Sequence, residues 1–306
     1  MYMDTFDEYG KHLYELGKEN EKIVVIDCDL GQACRTGKFR INFQDRYVNV
    51  GIAEQNAFGV AAGLASSGFI PIVHTFATFA CLRGIEQIRN SIALTNQNVK
   101  IIGARPGITN AILGATHHAI EDIGIMTSIP NIAVLAPYDY CEVKECLEEA
   151  IKYNGPVYIR LDKIQTEKVN HERFKIGKAQ LISDGEDITL IGVGDQVINC
   201  INAEKKLKEL GYSVRVINIS SAKPLDKDII LESANKTKNI IVIESHNVIG
   251  GVGSEICRVL SEECPTKVKT MGIRDCFTQT GDYEDLLKYY GIDSESIIKE
   301  ALKILR

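Results

Sequence analysis

The sequence predicts an α/β protein built from two doubly wound parallel-sheet domains. Three observations predict it. Short β-branched runs alternate with longer helical patterns; the alternation stops in one polar stretch and then restarts; and 306 residues suffice for two domains with a core each.

In chain order, the opening segment MYMDTFDEYGKHLYELGKEN is an acidic-basic amphipathic stretch with no cationic or apolar leader pattern. The first set of strands follows: KIVVIDC (22–28), the short YVNV (47–50), FIPIVHT (69–75), NVKIIGA (98–104), NIAVLAP (131–137) and PVYIRL (156–161). The polar stretch after Leu161 has no sustained period. The second set is ITLIGVG (188–194), YSVRVINI (212–219), NIIVIES (239–245) and KVKTMGI (267–273). The expected division is a first domain over 1–165, a linker over 166–182 and a second domain over 183–306. Ligands of open parallel sheets bind beyond the carboxyl ends of the strands, so those loops are where function is sought.

Composition excludes several classes. The net charge is −6 and the basic residues are scattered, which leaves no cationic face for a nucleic-acid backbone. No run approaches the ~18 apolar residues of a membrane span, so a cytoplasmic protein without a membrane partner is expected. The nine cysteines include no C-x-x-C pair and read as buried reduced thiols rather than disulfides or a metal site.

From Tyr47 to Phe79 the only formally charged residue is Glu54, at the start of AEQNAFGVAAGLASSG. A first-turn glutamate can simply favour the helix dipole. The Ala- and Gly-rich pattern on nearly every face of this helix implies close packing and burial instead, and a buried carboxylate needs a specific partner. Phe76 and Phe79 stand three apart at a helix start, which is ordinary core spacing or a ring-binding pair. The adjacent His117 and His118 lie in a loop without further ligands nearby, so a metal reading is poor.

VGIAEQNAFGVAAGLASSGFIPIVHTFATF, followed by GATHHAIEDIGIMTSIPNIAVLAP, resembles the pyrimidine-binding domain of transketolases and of the related 1-deoxyxylulose-5-phosphate synthases. The resemblance extends through PVYIRL and the second domain. It implies a thiamin-diphosphate-binding pyrimidine domain followed by a transketolase carboxy-terminal domain. It also implies that Glu54 hydrogen-bonds N1′ of the aminopyrimidine and shares its proton, which promotes deprotonation of thiazolium C2. By the same resemblance Phe76 and Phe79 stack on and clasp the ring, Leu82 falls at a third, usually aromatic, cofactor position, and His117 contacts the substrate oxygen near the reacting carbon. Arg105 and Arg160 match substrate-binding positions and suit a phosphate, sulfonate or carboxylate.

Departures bear on the substrate. Leu113 stands where transketolases carry an Asp that binds a donor hydroxyl, and Met3 and Ala33 fall where an arginine and a serine commonly complete the phosphate site. The chain has no G-D-G motif, which in this family holds Mg²⁺ against the diphosphate, and it begins almost directly on the pyrimidine domain. The expectation is therefore the carboxy-terminal subunit of a split transketolase. Its amino-terminal partner carries the G-D-G motif and the Mg²⁺ ligands, no metal is held by this chain, and two of each assemble as a two-plus-two heterotetramer. Activity is expected only in that assembly, as transfer of a two-carbon ketol unit from an anionic ketose to an aldose. Two alternatives stay open: synthase-like transfer from a non-standard donor such as pyruvate, and a non-catalytic scaffold. In the second domain, HNVIGGVGSEI (246–256) is read as a tight strand-to-helix turn rather than a dinucleotide site.

Overall fold

The computed structural model describes residues 3–166 and 172–306, so part of the expected linker lies outside the described residues. The first half contributes β1 (Met3–Asp4), β2 (Ile23–Asp27), β3 (Tyr47–Asn49), β4 (Ile70–Phe76), β5 (Lys100–Ala104), β6 (Ala133–Leu135), β7 (Val157–Leu161) and β8 (Gln165–Thr166). The second contributes β9 (Gln180–Ser183), β10 (Ile188–Val193), β11 (Val214–Asn218), β12 (Ser221–Lys223), β13 (Asn239–Asn247) and β14 (Lys267–Ile273).

The large sheet runs β12-β6-β7-β5-β4-β2-β3 and the second runs β14-β13-β10-β11-β9. All pairs within the first half's six strands are parallel, as are those among β10, β11, β13 and β14. β2, β5, β7 and β10 are buried at every residue, because helices cover both faces of each sheet. Every strand expected from the β-branched runs is present. The additional ones are short: β1 and β8 form a separate antiparallel pair, β9 edges the second sheet, and β12 crosses back to pair antiparallel with β6.

That crossing welds the two halves. Ile26, Phe58 and Tyr158 share one continuous apolar core with Ile191, Ile217 and Val242. Beside it, Glu142 on helix Tyr140–Lys152 accepts hydrogen bonds from Asn218 Nδ2 (3.0 and 3.2 Å), from the Tyr138 amide (2.9 Å) and from the Ser220 hydroxyl. Burial pushes its carboxyl up to about 7, outweighing those donors, which favour the ionised form. All nine cysteines are free thiols; five are buried, but Cys276 is exposed and Cys141, Cys257 and Cys264 reach the surface in part. No helix among the described residues is long and apolar enough to cross a membrane.

Candidate active site

The loops leaving the carboxyl ends of β2, β4, β5 and β7 converge, and Glu54 lies among them. Its position starts with a turn. After β3, the Asn49 side chain accepts from the Gly51 amide at 2.8 Å, and Gly51 takes a φ of 74°, a left-handed conformation that favours glycine. The chain then enters helix Glu54–Ser66 with Glu54 in its first turn and no side-chain cap. The carboxylate is 4% exposed and accepts from Thr75 Oγ1 on β4 at 3.1 Å. Its second partner is Arg83, whose Nη1 lies 3.4 and 3.3 Å from the two oxygens. Burial, and then the nearby Glu54 charge, push the Cys28 thiol up to about 12, so that neighbour stays protonated.

Phe76 ends β4 and Phe79 lies on the following helix Ala77–Leu82. Their ring centroids are 6.0 Å apart, edge to face. The His117 ring meets both edge-on, at 5.9 Å from Phe76 and 5.3 Å from Phe79. The Arg83 guanidinium lies over Phe79, 3.7 Å from its centroid. Four residues singled out in the sequence, Glu54, Phe76, Phe79 and His117, thus gather in one place. Leu82, the fifth, is 55% exposed at the helix end.

Past the carboxyl ends of β2, β5 and β7 lies a cavity of about 390 Å³, lined by Arg105, Arg35 and Lys163 together with Asp29, Ala33 and Phe6. Arg105 follows β5 with a φ of 50°, and its buried Nε has no hydrogen-bond partner. Arg35 is tied to Asp7 at 2.6 Å. Arg160 does not join them, which corrects the expectation that it grips substrate. It is fully buried, its Nε is 3.0 Å from Asp122, and its Nη2 donates to the Ser245 carbonyl of the second half at 2.6 Å. Every face of that guanidinium looks into protein, with Asp162 and Asp195 also beside it.

His118 is structural as well. Its Nε2 donates to the Ala111 carbonyl at 3.1 Å, which leaves Nδ1 to accept from the Thr278 hydroxyl at 2.6 Å, and burial lowers its pKa. It thereby ties the His117 loop to the second half. Leu113 is 44% exposed. His246 is buried, with Nδ1 on the Asn247 carbonyl and Nε2 accepting from the Gly124 amide. At the glycine-rich turn, Glu244 accepts from the Val252 and Gly253 amides at 2.9 and 3.0 Å, so the chain's own carboxylate fills the helix N-terminus that a phosphate would need. Among the described residues, no three His, Cys, Asp or Glu side chains group to hold a metal ion.

The sequence reading missed Arg83, Thr75 and Lys163. Arg83 stands four residues after Phe79, the spacing that places two side chains on one helix face. Lys163 lies two residues beyond β7, at the sheet edge where ligands bind, so its position was a usable signal.

Residues 1–168 match the transketolase pyrimidine-binding domain, and residues 177–297 match the transketolase C-terminal domain. The chain belongs to the transketolase family. A putative transketolase C-terminal section of Methanocaldococcus jannaschii is 41% identical over 97% of this family member and 95% of its own length. A 6-deoxy-6-sulfo-D-fructose transketolase subunit of Clostridium sp. is 36% identical, over 97% and 93%. Among solved structures, a split-gene transketolase in an inactive beta4 tetramer superposes with a TM-score of 0.90 at 39% identity, covering 99% of this transketolase-family chain and 98% of that one.

Proposed function

We propose that this chain is the carboxy-terminal subunit of a split, thiamin-diphosphate-dependent transketolase, active with an amino-terminal partner in the cytoplasm. The observation that carries the reading is the meeting of a buried carboxylate, Glu54, with Phe76, Phe79 and His117 at the carboxyl edge of a parallel sheet. These residues fit the pyrimidine half of the cofactor: one buried acceptor, two apolar ring faces and a protonated thiol that adds no charge. The diphosphate and Mg²⁺ fall to the partner's G-D-G motif.

The chemistry the bound cofactor supplies is a carbon nucleophile that doubles as an electron sink for a two-carbon unit. Glu54 holds the proton at the ring's N1′, in a site dry enough that water does not compete for it. Phe76 and Phe79 orient the ring. His117, edge-on to both, moves a proton at the donor oxygen beside the reacting carbon. Arg105 and Lys163 bind the anionic end of a ketose. Leu113 offers no hydrogen bond where the family carries an Asp, which favours a donor without a hydroxyl at that point and keeps a pyruvate-type donor as a second reading.

Helix Glu54–Ser66 supports the need for a partner. It buries only Glu54, Ala57, Phe58 and Ala61, not the nearly complete circumference expected from its composition. A Cβ placed on Gly59 or Gly63 meets nothing within 4 Å, so this face admits close approach by another polypeptide. A two-plus-two assembly uses that face. The test is to purify this chain with the neighbouring reading frame's G-D-G subunit and assay ketose phosphates, a sulfo-sugar and pyruvate. Transfer only by the pair supports the reading. Full turnover by this chain alone refutes the split assignment, and no transfer by a cofactor-loaded pair favours a scaffold.

A further inference from the structure

Among the described residues Glu54 has two side-chain partners, Thr75 and Arg83, and one of them can leave. Thr75 is fixed in β4, whereas Arg83 sits just past the helix Ala77–Leu82 with its side chain 48% exposed. Its guanidinium does two things at once. It points Nη1 at both Glu54 oxygens, 3.4 and 3.3 Å away, and it lies 3.7 Å over the ring of Phe79. A flat cation stacked on an aromatic face with an N–H aimed at a buried carboxylate has the shape and donor pattern of a protonated aminopyrimidine.

We propose that Arg83 holds the seat of the cofactor ring in the unloaded subunit and is displaced from it when the ring binds. This rests on the reading of Glu54 and Phe79 as that seat. Without a counter-ion, the buried Glu54 charge would destabilise the unloaded chain, so the guanidinium stands in until the ring arrives. The ring's N–H and the guanidinium compete for the same carboxylate and for space against the same Phe79 ring. The exposed side of Arg83 gives it a path outward, so displacement requires rotation of one side chain and no backbone movement. Loading is thus an exchange of one flat cationic donor for another, and the affinity for thiamin diphosphate is lower than the bare pocket would give.

The test is calorimetric titration of thiamin diphosphate into the complex assembled with the amino-terminal partner, comparing wild type, Arg83→Ala, Arg83→Gln, Arg83→Lys and Glu54→Ala. An ion pair whose arginine is half exposed, plus a cation over an aromatic face, amounts to roughly a five- to tenfold change in affinity. Arg83→Ala and Arg83→Gln are expected to bind that much more tightly, and Arg83→Lys, which keeps the charge but not the flat face, to fall between them and wild type. Unchanged affinity in both the Ala and Gln variants overturns the proposal, because the guanidinium would then stand clear of the seat. Weaker binding in both overturns it too, making Arg83 part of the seat. Glu54→Ala separates the two levels: if it leaves affinity intact, the reading of Glu54 itself fails, whereas loss of binding there with no gain at Arg83 sinks only the place-holder.

Discussion

Replacing Arg160 by alanine should destabilise the fold without acting as a substrate-binding defect. The magnitude follows from what the guanidinium touches. It is 0% exposed, paired with Asp122 at 3.0 Å and bonded to the Ser245 carbonyl at 2.6 Å across the junction of the two halves. Among the described residues its removal leaves Asp122 with the Tyr158 hydroxyl, at 2.9 Å, and leaves Asp162 and Asp195 buried beside the gap. Removing one partner of a buried ion pair costs about 3–5 kcal/mol. In a chain of 306 residues that is a fall in Tm of about 5–8 °C. The assay is thermal unfolding of the purified subunit followed by circular dichroism, with Lys163→Ala as the control that leaves Tm in place. An Arg160→Ala protein as stable as wild type, altered only in donor KM, would show that the arginine reaches substrate and that the buried network is misread.

Two further outcomes can be checked. Arg105→Ala and Lys163→Ala should each raise KM for an anionic donor about tenfold while leaving kcat and the KM of an uncharged ketose nearly unchanged, because each removes one charge-assisted hydrogen bond. Glu142 carries a pH dependence: its folded-state carboxyl at about 7 lies above the ordinary 4.5, so its stabilising contribution is full below 4.5 and is lost as pH rises through 7. Urea unfolding should therefore show wild type losing about 2–3 kcal/mol more than Glu142→Gln between pH 5 and pH 8; equal slopes would mean that the carboxylate is ionised in the fold.

The alternation of β-branched runs with helical patterns made both parallel sheets legible, because strands buried on both faces must be continuously apolar. The short strands were not. β12 has three residues, and its partner β6 lies in the other half of the chain, so nothing local marks it. The same distinction holds at the site. Glu54, Phe76, Phe79 and His117 could be singled out because each has one place in a motif, and the fold brings them together. Arg160 misled, since an arginine at a strand end looks alike whether it meets a ligand or a buried Asp122 on another element. Helix Glu54–Ser66 was read as buried on nearly every face. In the single chain it keeps one face open at Gly59 and Gly63, and composition does not say whether the cover comes from the same polypeptide.

On the proposed reading, Glu54 governs a proton on a ring seated against Phe79. The most direct measurement is the rate of hydrogen–deuterium exchange at C2 of thiamin diphosphate bound to the assembled complex, followed by NMR after acid quench, for wild type and Glu54→Gln. The glutamine keeps the size and the Thr75 hydrogen bond but cannot hold the proton, so exchange should slow by about 10²- to 10⁴-fold with the cofactor still bound. An unchanged exchange rate in the loaded variant would contradict the account.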